Sequence, residues 1–201
     1  VCALIEQSGG SASLLCADLC DPQAAEKLMQ QAGQLDVLIL NASIQIRRRW
    51  LEISPEDYQR QMTCNFYSSM RLIQLAAPAM IQKHWGRIVT IGSVQERKPH
   101  PDMLVYSSAK AAQTSMVQSL SLQLAKDGIT VNNVAPGVIV TDRNTEALSD
   151  PAYASQVQET IPAGFFGQPE DCAGVVRLLC SEAGRYITGQ SIYVDGGKSV
   201  Q

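Results

Sequence analysis

The sequence predicts an α/β fold: one doubly wound parallel sheet in a single domain. Three observations carry this expectation. Five short apolar runs read as strands buried on both faces. Longer segments with helical period separate them. Polar residues gather where the strands end, the rim at which open parallel sheets bind ligands.

The elements follow in order. Residues 13–17 (SLLCA) are the first apolar run. Residues 22–31 are predicted helical, with Asp21 as N-cap and Pro22 in the first helical position. Residues 37–41 (VLILN) are the second strand. Ser54-Pro55-Glu56-Asp57 repeats the helix-start signal, with acids in the first turn. A long helix follows from Asn65 to about Lys83, with a bend expected near Pro78. Residues 87–92 (RIVTIG) form the third strand. Between Asp102 and Lys126, Val105, Ala109, Ala112, Met116, Leu120 and Leu124 recur at three- and four-residue steps, and Gly128 is a left-handed C-cap. Residues 130–134 are the fourth strand, a helix follows Gln168-Pro169 to about Ser181, and residues 191–194 are the fifth strand. No repeat, low-complexity tract or linker interrupts the pattern.

Composition removes several function classes. At 201 residues the chain can bury a sizeable core, and 45% hydrophobic with 17% charged residues is an ordinary globular balance. A net charge of -3 argues against a nucleic-acid partner. Arg47, Arg48 and Arg49 are the one compact basic run, and a solvated loop accounts for them better than a polyanion site. No apolar stretch is long enough for a membrane span. The six cysteines contain no CxxC pair and the chain has two histidines, so no metal site is expected. Scattered thiols in apolar contexts fit a reducing, cytoplasmic setting.

The rim carries the chemistry. Asn41-Ala42-Ser43 ends the second strand, Gly92-Ser93 the third, and Ala135-Pro136-Gly137, with Thr141 beyond, the fourth. Tyr106 and Lys110 are four residues apart on a helix, one turn on one face. A free tyrosine, with a pKa of about 10, exchanges protons poorly at neutral pH, and an adjacent ammonium would favour its phenolate. The spacing alone also suits an ordinary amphipathic helix.

In this order and spacing, these landmarks resemble the short-chain dehydrogenase/reductase family from Asp18 to Gly197: Asp18-Leu19, Leu40-Asn41-Ala42-Ser43, Asn65, Ser93, Tyr106-Ser107-Ser108-Ala109-Lys110, Pro136-Gly137 with Thr141, and the tail 188–197. The resemblance implies a Rossmann-like fold and a nicotinamide cofactor, NAD or NADP, that supplies the hydride. Tyr106 would then be the general acid/base, and Lys110 its charge partner and the holder of the ribose hydroxyls. Ser93 would orient the reacting oxygen, and Asn65 would hold a water linking Lys110 to solvent. Asp18 and Leu19 would meet the adenine, Asn41 and Ala42 would line the cofactor, Ile139 and Thr141 would reach the carboxamide, and Pro136-Gly137 would shape the turn beneath. Plainer readings stand beside these: Ser93 and Asp18 as turn caps, Asn65 as a polar helix residue.

Two departures from the family pattern stand out. Leu40 and Ser43 occupy positions where the family has asparagine and glycine, so the backbone at Ser43 carries a Cβ. No glycine-rich phosphate loop is present. The chain reads as beginning within the helix after the family's second strand, with at least one βαβ unit, about 30 residues, upstream of it. On that expectation residues 13–17 lack a pairing neighbour, and the usual NAD/NADP determinant is absent.

The leading functional expectation is an NAD(P)-dependent oxidoreductase acting on a secondary alcohol or ketone, of the kind found among 3-oxoacyl reductases and sugar or polyol dehydrogenases. A non-catalytic binding or assembly protein that has lost the cofactor is the alternative, and epimerisation or dehydration with retained cofactor is a third. Residues 94–105 and 142–166 would flank the substrate, the latter as a mobile lid. Arg97, Lys98 and the run at 47–49 would favour an anionic substrate such as a sugar acid, unless they face solvent. The family resemblance also implies a homo-oligomer, a tetramer or dimer, built on the long helices near Asn65 and Tyr106 and on the last strand.

Overall fold

The computed structural model describes residues 1–201, the side chains at 146 and 147 excepted. Four parallel strands form the sheet, in the order β1 (Val37–Leu40), β2 (Gly86–Ile91), β3 (Ile129–Pro136), β4 (Ser191–Val194). Register runs Val37 to Arg87, Gly86 to Ile129 and Asn133 to Ser191. The helices are α1 (Cys2–Gln7), α2 (Ala24–Ala32), α3 (Pro55–Met62), α4 (Ser68–Lys83), α5 (Leu104–Leu124), α6 (Asp142–Leu148), α7 (Pro151–Glu159) and α8 (Pro169–Leu179). None is long and apolar enough to cross a membrane.

Alternation along the strands gives each face its own core. Leu38, Leu40, Ile88 and Val131 face one way and pack with Leu72, Ile73 and Met80 of α4 and Val117 and Leu124 of α5. Val89 and Val134 face the other way, against Leu179, Val175 and Val176 of α8. Ile88, Val89, Met80 and Val131 are fully buried. At roughly 1.5–3 kcal/mol per buried side chain, these contacts hold both helix layers to the sheet.

Three expectations change. Residues 13–17 are not a strand: β1 is hydrogen-bonded to β2 alone, and this segment has no ladder partner. Helix α2 begins two residues later than predicted because Asp21 turns inward on itself, accepting from Gln23 N (2.9 Å) and from Lys27 Nζ (2.8 Å). The long helix from Asn65 opens with a π-turn at Thr63–Tyr67 before α4, which then continues through Pro78. By contrast, Ser54 caps α3 as expected, its Oγ accepting from Asp57 N at 3.0 Å. Gly128 adopts φ 77° after α5, where a Cβ would meet the His84 carbonyl oxygen.

Candidate active site

The carboxyl ends of the strands open into a cavity of about 960 Å³. Its lining brings together Asn41, Ser93, Tyr106, Pro136, Gly137, Ile139 and Thr141 from the predicted set. Asp18, Leu19, Ala42, Asn65 and Lys110 lie outside that lining. Leu19 and Ala42 border a smaller cavity of about 210 Å³, which shares Ile39 and Asn41 with the larger one. Asp18 Oδ1 accepts from Cys20 N at 2.9 Å, a turn cap.

Tyr106 stands near the start of α5 and is 5% exposed. Burial pushes its phenol above the ordinary value, while hydrogen bonds with Ser93 and Ser43 and the charge of Arg143 pull it down. Lys110, one turn on, is 1% exposed. Its Nζ donates to the Ile91 carbonyl at 2.6 Å and to Gln113 Oε1 at 3.3 Å, and lies 5.8 Å from the Tyr106 ring centre. Burial, then Arg143, brings Lys110 down to about 8. An ammonium beside a phenol is expected to lower the phenol's pKa. Here desolvation dominates both groups and holds the tyrosine protonated.

Ser93 is set by a capping box at the end of β2: its Oγ accepts from Gln95 N (3.2 Å) and Glu96 Oε2 accepts from Ser93 N (3.4 Å). Glu96 is more than a cap. Its carboxylate also accepts from Ser191 Oγ (2.6 Å), Tyr193 Oη (3.1 Å) and Asn133 Nδ2 (3.1 Å). Thus the Ser93 loop is fastened to β3 and β4. The Ser-x-x-Glu spacing is a cap signature that was legible in the sequence; the hub role depends on side chains up to 97 residues away. Gly92 sits in the tightest part of this arrangement, where a Cβ would come within 2.5 Å of Glu96 Oε2 and 2.6 Å of the Asn133 side-chain amide.

Asn65 lies in the π-turn and is fully buried. Its amide grips the loop after β1 at the N–H and C=O of one residue, accepting from Ile44 N and donating to Ile44 O, each at 2.9 Å. Its own carbonyl accepts from Gln113 Nε2 (3.4 Å), and Gln113 also accepts from Lys110. So Asn65 reaches Lys110 through Gln113, a residue with no motif of its own in the sequence.

Arg143 on α6 donates from Nη1 to Ser43 Oγ (3.0 Å) and from Nη2 to Ser43 O (2.6 Å). The segment expected to be a lid therefore reaches across to the loop after β1. Of the basic residues proposed from sequence to face the substrate, Arg47 lines the cavity. Arg48 pairs with Asp57, Arg97 lies over the Tyr193 ring, and Lys98 donates to the Lys198 and Gln201 carbonyls. Among the described residues, no group of three His, Cys, Asp or Glu side chains is placed to hold a metal.

A family model described as enoyl-(acyl carrier protein) reductase matches residues 1–199. The 3-oxoacyl-[acyl-carrier-protein] reductase of Rickettsia conorii is 37% identical over 180 residues, 90% of this chain and 74% of its own. The L-rhamnose 1-dehydrogenase (NAD(P)(+)) of a Sphingomonas species is 33% identical over 203 residues, 98% of this chain and 80% of its own. A crystal structure of 3-oxoacyl (acyl-carrier-protein) reductase from Agrobacterium tumefaciens with NADP bound superposes with a TM-score of 0.93 at 34% identity, covering 97% of this chain and 78% of that one.

Proposed function

Because this chain belongs to the short-chain dehydrogenase/reductase family, we propose that it is an NAD(P)-dependent oxidoreductase interconverting a secondary alcohol and a ketone, with Tyr106 as its general acid/base. One observation carries the reading. Tyr106 and Ser93 line one large cavity together, with Lys110 buried one turn behind the tyrosine.

The residues present suit a nicotinamide dinucleotide. Lys110 has three N–H donors, and two are taken by Ile91 O and Gln113, which leaves one for a ribose hydroxyl. The turn at Gly137 closes tightly on the chain after β4, where a Cβ would come within 2.7 Å of Asp195 Cα, so the floor beneath the cavity is fixed. Asn41, Ile139 and Thr141 line the same cavity. When bound, the cofactor supplies or takes the hydride.

The protein's part is proton management and positioning. Ser93 Oγ is held by its cap and hydrogen-bonds the substrate oxygen. Tyr106 Oη gives that oxygen a proton during reduction and takes one during oxidation. Burial keeps the phenol protonated, the form that reduction needs. Lys110 and Gln113, fastened to β2 and to the π-turn, hold Tyr106's surroundings rigid. The same reading includes a homo-oligomer, supported by the exposed apolar side chains Leu104 and Leu122 on α5.

The test is net change in NAD(P)H absorbance with a panel of ketones and secondary alcohols. Tyr106→Phe is expected to lose about 10²- to 10⁴-fold in kcat while still binding the cofactor. Unchanged turnover in that variant, or product formed without net cofactor change, would overturn the proposal.

A further inference from the structure

Resting on the oxidoreductase reading, we propose that the substrate is a hydroxy or oxo acid, and that Arg143, locked onto Ser43, binds its carboxylate beside Tyr106. Ser43 Oγ accepts from Arg143 Nη1 at 3.0 Å, and both residues line the same cavity as Tyr106. The Arg143 charge reaches the Tyr106 phenol and favours its ionised form. A short acid with its carboxylate on the guanidinium would present its reacting carbon to the phenol within that cavity.

The guanidinium has donors to spare. Ser43 takes two of its five N–H groups, and both acceptors are neutral. Among the described residues Arg143 makes no ion pair. A cation held by neutral atoms at a cavity wall matches a planar carboxylate in geometry and in charge.

The cavity as a whole points the same way. Among the described residues, Arg47, Arg143, Arg177 and Lys198 line it with Asp142 as the one acid, although the chain carries a net charge of -3. Such a local excess raises the concentration of an anion at the mouth, and a neutral alcohol gains nothing from it. The cofactor's phosphates are anions too, so the test must separate the two ligands.

The experiment compares D-gluconate with D-glucitol, and 3-hydroxybutyrate with 2-butanol, using the full chain in the wild type, Arg143→Ala and Arg143→Lys, with the cofactor KM measured for each. The acid-to-neutral ratio of kcat/KM is expected to fall roughly 10- to 100-fold in Arg143→Ala, to recover in part in Arg143→Lys, and to shrink with added salt. The cofactor KM is expected to stay put. An equal loss on acids and neutral alcohols, or a loss confined to the cofactor KM, would overturn the proposal. Absence of turnover by the wild type on every substrate would instead sink the oxidoreductase reading. In that case thermal shift by gluconate decides the clamp: a shift in the wild type that Arg143→Ala lacks supports it, and equal or absent shifts refute it.

Discussion

At the scale of single residues, Glu96 does work that no motif assigned to it. Four side chains or backbone groups donate to its carboxylate, and one of them is the amide of Ser93. Its charge raises the pKa of both Tyr106 and Lys110. Glu96→Gln keeps the shape but brings an amide N–H₂ among donors, which costs about 1–3 kcal/mol where a partner is left unpaired. We expect kcat to fall roughly 10-fold. The acidic limb of the pH profile for alcohol oxidation should move to lower pH, because removing the charge lowers the phenol's pKa. A pH-rate profile checks this, and a limb that stays in place or moves upward would show that Glu96 acts on Tyr106 by packing alone.

At the scale of elements, the caps and periods were readable and the site-bearing irregularities were not. Ser54, Pro55 and Asp57 announce α3, and the structure makes the bond they imply. Ser54→Ala should therefore lower stability by about 1 kcal/mol in urea unfolding with kcat/KM unchanged. A larger loss would mean that Ser54 supports more than its helix. The apolar stripe of α5 predicted a core face: Val105, Ala109 and Leu124 are buried, and Met116 and Leu120 pack half-buried against the core. The buried face is wider than the stripe and takes in Lys110, Gln113, Val117 and Ser121. Apolar periodicity cannot show that widening, because buried polar residues find partners on other elements: Ile91 for Lys110, and Ser69 and Asn65 for Gln113. The π-turn at Asn65 has no local sequence signal for the same reason. Tyr106, Ser93, Lys110 and Asn65 were legible as a set through family resemblance. Glu96 as a hub, and Gln113 and Arg143 as neighbours of the site, emerge only once distant segments meet.

For the whole molecule, the buried lysine sets a pH dependence of stability. Lys110 titrates at about 8 in the fold and near 10.4 when unfolded. Between those values the unfolded chain keeps a proton that the folded chain has released, so stability rises with pH. The full gap is worth roughly 3 kcal/mol. Tyr106 acts the opposite way at higher pH: its folded pKa is raised, so the unfolded phenol ionises first and stability falls. Urea unfolding of the wild type and of Lys110→Met should show the wild type gaining on the variant between about pH 8 and pH 10; a constant difference across that range would mean that the buried amine keeps its ordinary pKa in the fold and stays charged. The sheet's connectivity also has a consequence in time. The partners Val37 and Arg87, Gly86 and Ile129, and Asn133 and Ser191 each close a loop of roughly 40 to 60 residues. A ribosome adding about 5–20 residues per second needs several seconds to get from Asn133 to Ser191. Through that interval β3 has one bare edge, and Glu96 waits for the hydroxyls of Ser191 and Tyr193. The Ser93 loop is thus translated mid-chain and fastened only when the last strand docks, and until then it stays open to chaperones and proteases.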